Sequence, residues 1–309
     1  MTPRATHPGR AVAEVVAAAT LFGTTGTAAH FAPASASPGS IGAARVVIGG
    51  AGLLAVLPWL DGNRRRAIGL WRSPWGLTAG VMTAVYQLAF FAGVARAGVA
   101  LGALVAIGSG PVLVGILSWI VLRERPRRVW WISTALCVVG LVLLTLDGAS
   151  QPTVELLGVA LAFLASCGYA VYTVAAKHMM NSGTPAVEAM ASAFSLGAVL
   201  LLPVLLFTRP TWLAEPSGLA VALWLGLATT TLAYVLFGRG LRVLDAGIAA
   251  TLVLAEPVVA TLLGVLLLGE TIGVMGWVGA GLVVIGLGLL GTTAVRHGPD
   301  AAIIEEMLP

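Results

Sequence analysis

Charged side chains are scarce in this chain. Lys, Arg, Asp and Glu make up 10% of its 309 residues, whereas apolar residues make up 58%. A soluble globular domain carries about 25% charged residues. The deficit therefore argues against one large water-soluble core and indicates a protein that crosses a membrane several times. The net charge of +4 does not indicate a nucleic-acid partner, because the basic residues lie in short loops between apolar runs.

Cysteine and histidine are also rare. Cys137 and Cys167 both fall inside apolar runs without metal-ligand spacing, so we expect two small buried side chains. The four histidines lie near the ends of runs or in the tails, which leaves none to activate Ser109 as a nucleophile. The sequence has no paired acidic motif for a metal and no phosphate-binding loop. It therefore predicts no enzyme activity, no metal and no cofactor.

Ten long apolar runs account for most of the chain. A run of about 20 residues crosses the hydrocarbon core as a helix, and a lipid-exposed backbone must satisfy its own hydrogen bonds. The short alternating segments of a membrane β-barrel do not occur. We expect the first run to stay as a span and not to be removed as a signal peptide. The predicted spans are residues 11–31, 39–60, 74–95, 98–121, 129–146, 154–176, 185–207, 217–238, 247–268 and 273–294.

The loops carry their positive charge on one side. With ten spans, 14 of the 17 basic residues fall on the side of the N-terminus, Arg96 and Arg209 fall on the other, and Arg45 lies inside the second span. Cytoplasmic loops are the ones enriched in Lys and Arg. We therefore expect a lipid-embedded protein of the cell (inner or plasma) membrane, with cytoplasmic tails at residues 1–10 and 295–309.

An internal repeat organises the spans. Residues 95–148 and 241–294 align without a gap at an offset of 146, and uncommon residue types coincide in that register. We assign five spans to each half, residues 11–148 and 154–294, joined by a linker at 149–153. An odd number of spans makes the second half enter the membrane from the opposite side. The coinciding pairs are Arg96 and Arg242, Pro111 and Pro257, Glu124 and Glu270, Trp131 and Trp277, and Gly140 and Gly286.

The predicted fold is thus an all-α integral membrane protein of ten transmembrane helices, built as two inverted five-helix repeats. Inverted repeats of this kind are typical of secondary transporters, which bind substrate near the bilayer midplane between the halves. Each half can adopt the shape of the other, so a central cavity can open to either side. The pattern predicts alternating access.

The repeated motif resembles a known family. Pro111, Glu124, Trp131 and Gly140, with their second copies after Glu256, are similar to the paired EamA domains of the drug/metabolite transporter superfamily. The stretch 21–26, LFGTTG, is similar to the family's first-helix motif, with phenylalanine where tryptophan is more usual. The resemblance covers residues 11–294. It implies ten helices, a central cavity, and commonly efflux of amino acids, related metabolites or drugs, but it does not name the cargo.

Glu256 is the sharpest candidate for a functional residue. It is the one carboxylate in the apolar run 247–268 and stands beside Pro257. An intramembrane carboxylate is costly, and such residues are usually functional. Glu256 would carry a coupling proton or pair with an amine of the substrate; the alternative is a structural carboxylate bonded to neighbouring helices. The other half has Gly110 at this position, so only the proline is shared.

The prolines and the polar residues inside spans are further candidates. Pro111 and Pro257 are predicted to kink their helices, and Pro257 to free the carbonyl of Val253. Arg45 would bind a carboxylate of the solute or reach the interface. Polar-tipped side chains would hydrogen-bond an organic solute or a neighbouring helix. Those candidates are Thr24, Thr25, Tyr86, Gln87, Ser109, Tyr169, Tyr172 and Tyr234.

These observations predict a secondary-active transporter that exports a small organic solute, with proton coupling through Glu256 as a hypothesis. Two alternatives stay open. One is uptake or exchange of a phosphorylated or sugar-linked solute, which the single in-span Arg45 disfavours. The other is a membrane receptor or a lipid-handling structural protein. The sequence does not predict the oligomeric state.

Overall fold

The computed structural model describes residues 7–147 and 155–296. In these residues ten helices are long and apolar enough to cross a membrane, which confirms the predicted number of spans. The predicted linker 149–153 lies outside the described residues. Spans 1 to 10 are Pro8–His30, Pro38–Leu60, Pro74–Ala97, Ala100–Leu122, Arg128–Asp147, Leu156–Asn181, Ala186–Phe207, Pro216–Val243, Ala246–Leu268 and Val274–Val295.

Spans 6 and 8 are longer than their apolar runs. Span 6 continues to Asn181 and span 8 to Val243. Lys177, Arg239 and Arg242, which the predicted bounds 154–176 and 217–238 leave just outside these spans, therefore lie within helices. A basic residue ends an apolar run in the sequence, but it does not end a helix when its side chain finds partners or reaches the interface.

The two halves meet where spans 5 and 10 cross. The Cys137 Sγ lies 3.6 Å from the carbonyl oxygen of Val283, and these two residues are 146 positions apart. Residues that the repeat relates to one another thus face each other across the contact. An axis relating the halves passes between them, as two inverted repeats require.

Glycines allow this crossing to be close. A Cβ added at Gly140 would lie 2.5 Å from the Gly279 carbonyl oxygen, and one added at Gly286 would lie 2.9 Å from the Ser133 oxygen. The two contacts are equivalent, because the repeat offset of 146 relates Gly140 to Gly286 and Ser133 to Gly279. Small residues at helix interfaces let membrane helices pack backbone against backbone. The glycines therefore hold the two halves together in the same way on both sides of the axis.

Spans 4 and 9 are each broken in the middle. Span 4 consists of the helices Val99–Gly108 (4a) and Gly110–Leu122 (4b), and span 9 of Ala246–Leu252 (9a) and Ala255–Leu268 (9b). The breaks place Pro111 and Pro257 in the first turn of the helices that follow, where a missing N–H costs little. Irregular backbone at membrane depth occurs where it is buried or lines a cavity.

The carbonyl of Val253 is not free, contrary to our expectation. The Glu256 N–H donates to it over 2.9 Å, and the Leu254 N–H donates to Thr251 over 3.0 Å. Both bonds span three residues and not four, so the chain tightens into a 3₁₀-like turn at the break. The proline thus begins a new helix, and the tightened turn takes up the carbonyl that it would have left unpaired.

The bundle is closed at one end. We call "the basic end" the end formed by the start of span 1, residues 61–73, 123–127, 182–185 and 244–245, and the end of span 10. At this end helix 4b packs against helix 9a. At the opposite end, no comparable packing joins the repeat-related helices 9b and 4a in the described part of the chain. The space between the halves is therefore shut at the basic end.

Replacing Gly140 by valine should destabilise the protein, because the new side chain would overlap the Gly279 carbonyl. Overpacking of this kind costs about 1–3 kcal/mol. The matched control is Gly281→Val in span 10, where an added Cβ meets no atom within 4 Å. Thermal unfolding in detergent micelles should show a lower midpoint for the first variant and an unchanged midpoint for the second. Equal midpoints would contradict the close crossing of spans 5 and 10.

Candidate functional site

Four predicted site residues form an aromatic cluster between the halves. Tyr86 of span 3 lies with its ring 6.3 Å from Tyr169 and 6.2 Å from Tyr172, both on span 6. The hydroxyl of Tyr172 lies 3.0 Å from the hydroxyl of Tyr234 on span 8, and the two share a hydrogen bond. The cluster therefore joins spans from both repeats and presents phenolic hydroxyls at one place in the bundle.

Two phenylalanines complete this cluster. The ring centroid of Phe194 of span 7 lies 3.8 Å from that of Tyr234, with the rings tilted by 41°, and the ring of Phe22 of span 1 lies 5.1 Å from the same ring. We did not select Phe194 from the sequence, because an apolar residue in an apolar run carries no signal. The rings, which are tilted or edge-on to one another, together form an apolar cluster next to the hydroxyls, and such a combination suits an organic solute.

Span 8 orients the side chain of Arg45 through hydrogen bonds. Its Nε donates to Thr230 Oγ1 over 3.1 Å, and one terminal nitrogen donates to the Thr229 carbonyl oxygen over 3.4 Å. Both threonines belong to the π-helical stretch Trp224–Leu232, where Thr230 Oγ1 also donates to the carbonyl of Leu225, five residues earlier. Such π-helical turns are frequent at functional sites. The guanidinium is held by Nε and one terminal nitrogen, and its other terminal nitrogen has no hydrogen-bond partner among the described residues.

Glu256 lies in the same electrostatic neighbourhood. Its carboxylate interacts electrostatically with Arg45 and with the hydroxyls of Tyr86, Tyr169 and Tyr234. Among the described residues, no hydrogen bond and no ion pair within 4.0 Å engages this carboxylate. Glu256 and Arg45 both keep part of their surface accessible. Two opposite charges thus lie within electrostatic range of each other, and no direct ion pair joins them among the described residues.

The symmetry of the repeat is broken at Glu256. Its counterpart Gly110 leaves room for Tyr169, whose ring would lie 3.2 Å from a Cβ at that position. The second half therefore supplies a carboxylate at this position, whereas the first half has a glycine, against which Tyr169 of the second half packs. The site is chemically one-sided although the backbone around it is repeated.

Four other candidates are not members of the aromatic cluster. Thr24 donates to its own helix and accepts a hydrogen bond from Trp224 over 3.0 Å. Ser109 donates to the carbonyl of Val105 in its own helix. Thr25 and Gln87 each have a buried polar atom without a hydrogen-bond partner among the described residues. Their part in solute binding stays a prediction.

Two cavities are present away from the cluster. One, of about 440 Å³, lies at the basic end beside Glu124, Trp130 and Asp245. The other, of about 320 Å³, lies beside Gln87 and Phe91. Neither is lined by Glu256 or Arg45, and we place the candidate site at the charges and hydroxyls because they bring convergent polar groups together. The described residues contain no group of three His, Cys, Asp or Glu side chains able to hold a metal.

A ten-helix inverted repeat with a polar site between its halves is the architecture of a membrane transporter. The chain belongs to the EamA-like transporter family, which matches residues 10–146 and 156–292, one copy in each half. This confirms the resemblance to the drug/metabolite transporter superfamily. The protein is a multi-pass membrane transporter and not an enzyme.

Similarity to known transporters covers most of the chain. It is 40% identical over 273 residues to the uncharacterized transporter YwfM of Bacillus subtilis, covering 88% of this chain and 90% of the relative. It is 30% identical over 267 residues to the threonine/homoserine exporter RhtA of Escherichia coli, covering 84% and 83%. A solved crystal structure with 21% identity covers 93% of this chain and 98% of its own, with a TM-score of 0.78. That likeness shows a shared fold.

Proposed function

We propose that this protein exports small zwitterionic metabolites, amino acids or close relatives of them, by alternating access between its two halves. The observation that carries the proposal is the pair of opposite charges, Arg45 and Glu256, which interact through space without forming an ion pair in the described chain. A zwitterion brings one charge of each sign and would satisfy both.

Each charge has a partner on such a solute. Arg45 is oriented by Thr230 and Thr229, so its guanidinium is pre-arranged to receive a carboxylate through charge-assisted hydrogen bonds. Glu256 would receive the ammonium group. The tyrosine hydroxyls and the rings of the aromatic cluster would contact the rest of the solute. The name of the relative RhtA, a threonine/homoserine exporter, supports the same class of cargo.

Proton coupling would follow from competition at Glu256. A carboxylate binds an ammonium group, whereas a protonated carboxyl does not. A proton arriving from outside would therefore displace the solute, and a solute arriving from inside would displace the proton. This competition would couple outward movement of solute to inward movement of protons without a second binding site.

Glu256→Gln should lower exchange of a labelled neutral amino acid in proteoliposomes at least tenfold, because a hydrogen bond to a charged group is worth about 1.5–3 kcal/mol. Flux driven by a pH gradient should be lost as well. The control is Glu155→Gln, which removes an exposed acid paired with Arg96.

Unchanged flux in both assays would remove Glu256 from the mechanism. Exchange that persists at equal pH, with only the pH-driven flux lost, would mean that Glu256 carries the proton alone. The proposed contact between Glu256 and the ammonium group would then be wrong.

We also propose that the basic end faces the cytoplasm, in the inner or plasma membrane, because loops rich in arginine stay on that side. In a chain with Cys137→Ala and Cys167→Ala, a cysteine replacing Arg65 should react with a membrane-impermeant maleimide only after cells are permeabilised. A cysteine replacing Ser35, at the opposite end, should react in intact cells. The reverse pattern would invert the proposed orientation.

A further inference from the structure

The basic end is closed around a buried lysine. Lys177 is 5% exposed, and its Nζ donates to the carbonyl oxygens of Leu241, Leu244 and Arg242 over 2.8, 2.9 and 3.2 Å. The last carbonyls of a helix have no partner within that helix. Lys177 of span 6 therefore caps the end of span 8 and ties the two spans together.

Glu124 adds a second tie at this end. Its Oε2 accepts a hydrogen bond from the Ala246 N–H, 2.8 Å away, and its Oε1 lies 3.9 Å from Lys177 Nζ. Burial raises the pKa of Glu124 above its ordinary value, while the Ala246 N–H and the Lys177 ammonium act in the opposite direction. Glu124 joins the end of span 4 to the start of span 9, so spans 4, 6, 8 and 9 meet at one cluster of charges.

The repeat places the same parts at the opposite end, where no hydrogen bond or ion pair engages the Glu270 carboxylate within the described part of the chain. Glu270 corresponds to Glu124, and Ala100 corresponds to Ala246. The backbone is alike in both copies, since the Glu124 N–H donates to Ser118 over 3.4 Å and the Glu270 N–H donates to Gly264 over 3.1 Å. Yet Glu270 is exposed, and its carboxylate lies over Gly264 of its own helix.

We propose that Glu124 and Glu270 are alternating latches of the transport cycle. Glu124 holds the basic end closed in the conformation described here. In the opposite conformation Glu270 accepts the Ala100 N–H and closes the other end, while the contact between Glu124 and Ala246 is broken. The proposal rests on the alternating access proposed above and names the residues that hold each end state.

The two latches are unequal. Lys177 strengthens the latch at the basic end, and the residues that the repeat sets against it, 30–32, include no lysine. The latch formed by Glu270 would therefore have one tie fewer. Without solute, the conformation closed at the basic end is favoured over the conformation closed at the opposite end.

Distances between spin labels in purified full-length protein, without solute, test the latches. One pair of labels replaces the exposed Arg125 and Arg242 at the basic end. The other replaces their repeat-related and equally exposed counterparts, Thr271 and Arg96. All samples carry Cys137→Ala and Cys167→Ala.

Glu124→Ala should lower the population closed at the basic end about tenfold relative to the opposite state, since the hydrogen bond from the Ala246 N–H to a charged carboxylate is lost. The basic-end distances should lengthen and the opposite-end distances should shorten. Glu124→Gln keeps an acceptor oxygen and should shift the distances less. Adding Glu270→Ala to Glu124→Ala should move the population back.

Unmoved distances in Glu124→Ala, or a second substitution that moves the population further in the same direction, would overturn the proposal. If Glu124→Ala does not fold, the Glu124→Gln comparison carries the same sign. Amino-acid exchange by the unmodified protein is measured in parallel. Absent exchange would reject the proposed cargo, whereas distances without solute still decide the latches.

Discussion

The arrangement of this protein depends on the close crossing of spans 5 and 10. Cys137 and Val283, which the repeat relates to each other, are in contact there, and the glycines on either side let backbone meet backbone. This contact fixes the axis that relates the halves. The broken spans 4 and 9 are then placed on opposite sides of that axis, with their interrupted turns next to the space between the halves.

The functional features are the places where the repeat is unequal. Glu256 stands where the first half has Gly110, and Tyr169 occupies the room that the glycine leaves. Lys177 ties spans at the basic end and has no lysine counterpart. A symmetric backbone gives two equivalent end states, whereas unequal side chains give a site with a direction and a preference for one state. Charge asymmetry on a symmetric frame is the physical basis of the proposed export.

Much of the fold could be predicted because the lipid bilayer restricts which structures can cross it. A lipid bilayer requires long apolar helices, so the ten spans could be recognised in the sequence. The internal repeat could be recognised because uncommon residue types coincide at an offset of 146. Glu256 and Arg45 could be selected as candidate site residues because charges at membrane depth are costly. Thr230 and Phe194 were not, because they are ordinary residues whose role arises only when another span approaches them. The predicted span 6 stopped just before Lys177, because the sequence does not show that its amine donates to three carbonyls at the end of span 8.

The central claim is that Arg45 and Glu256 together recognise a zwitterion. The most direct test is inhibition of labelled amino-acid exchange by three unlabelled analogues of one neutral amino acid, using the unmodified protein in proteoliposomes. The analogues are the amino acid itself, the amine that lacks the carboxylate, and the hydroxy acid that lacks the amine. We expect the amino acid to inhibit at concentrations at least tenfold lower than either analogue, because each analogue leaves one charge of the site unpaired. Equal inhibition by all three would contradict the account.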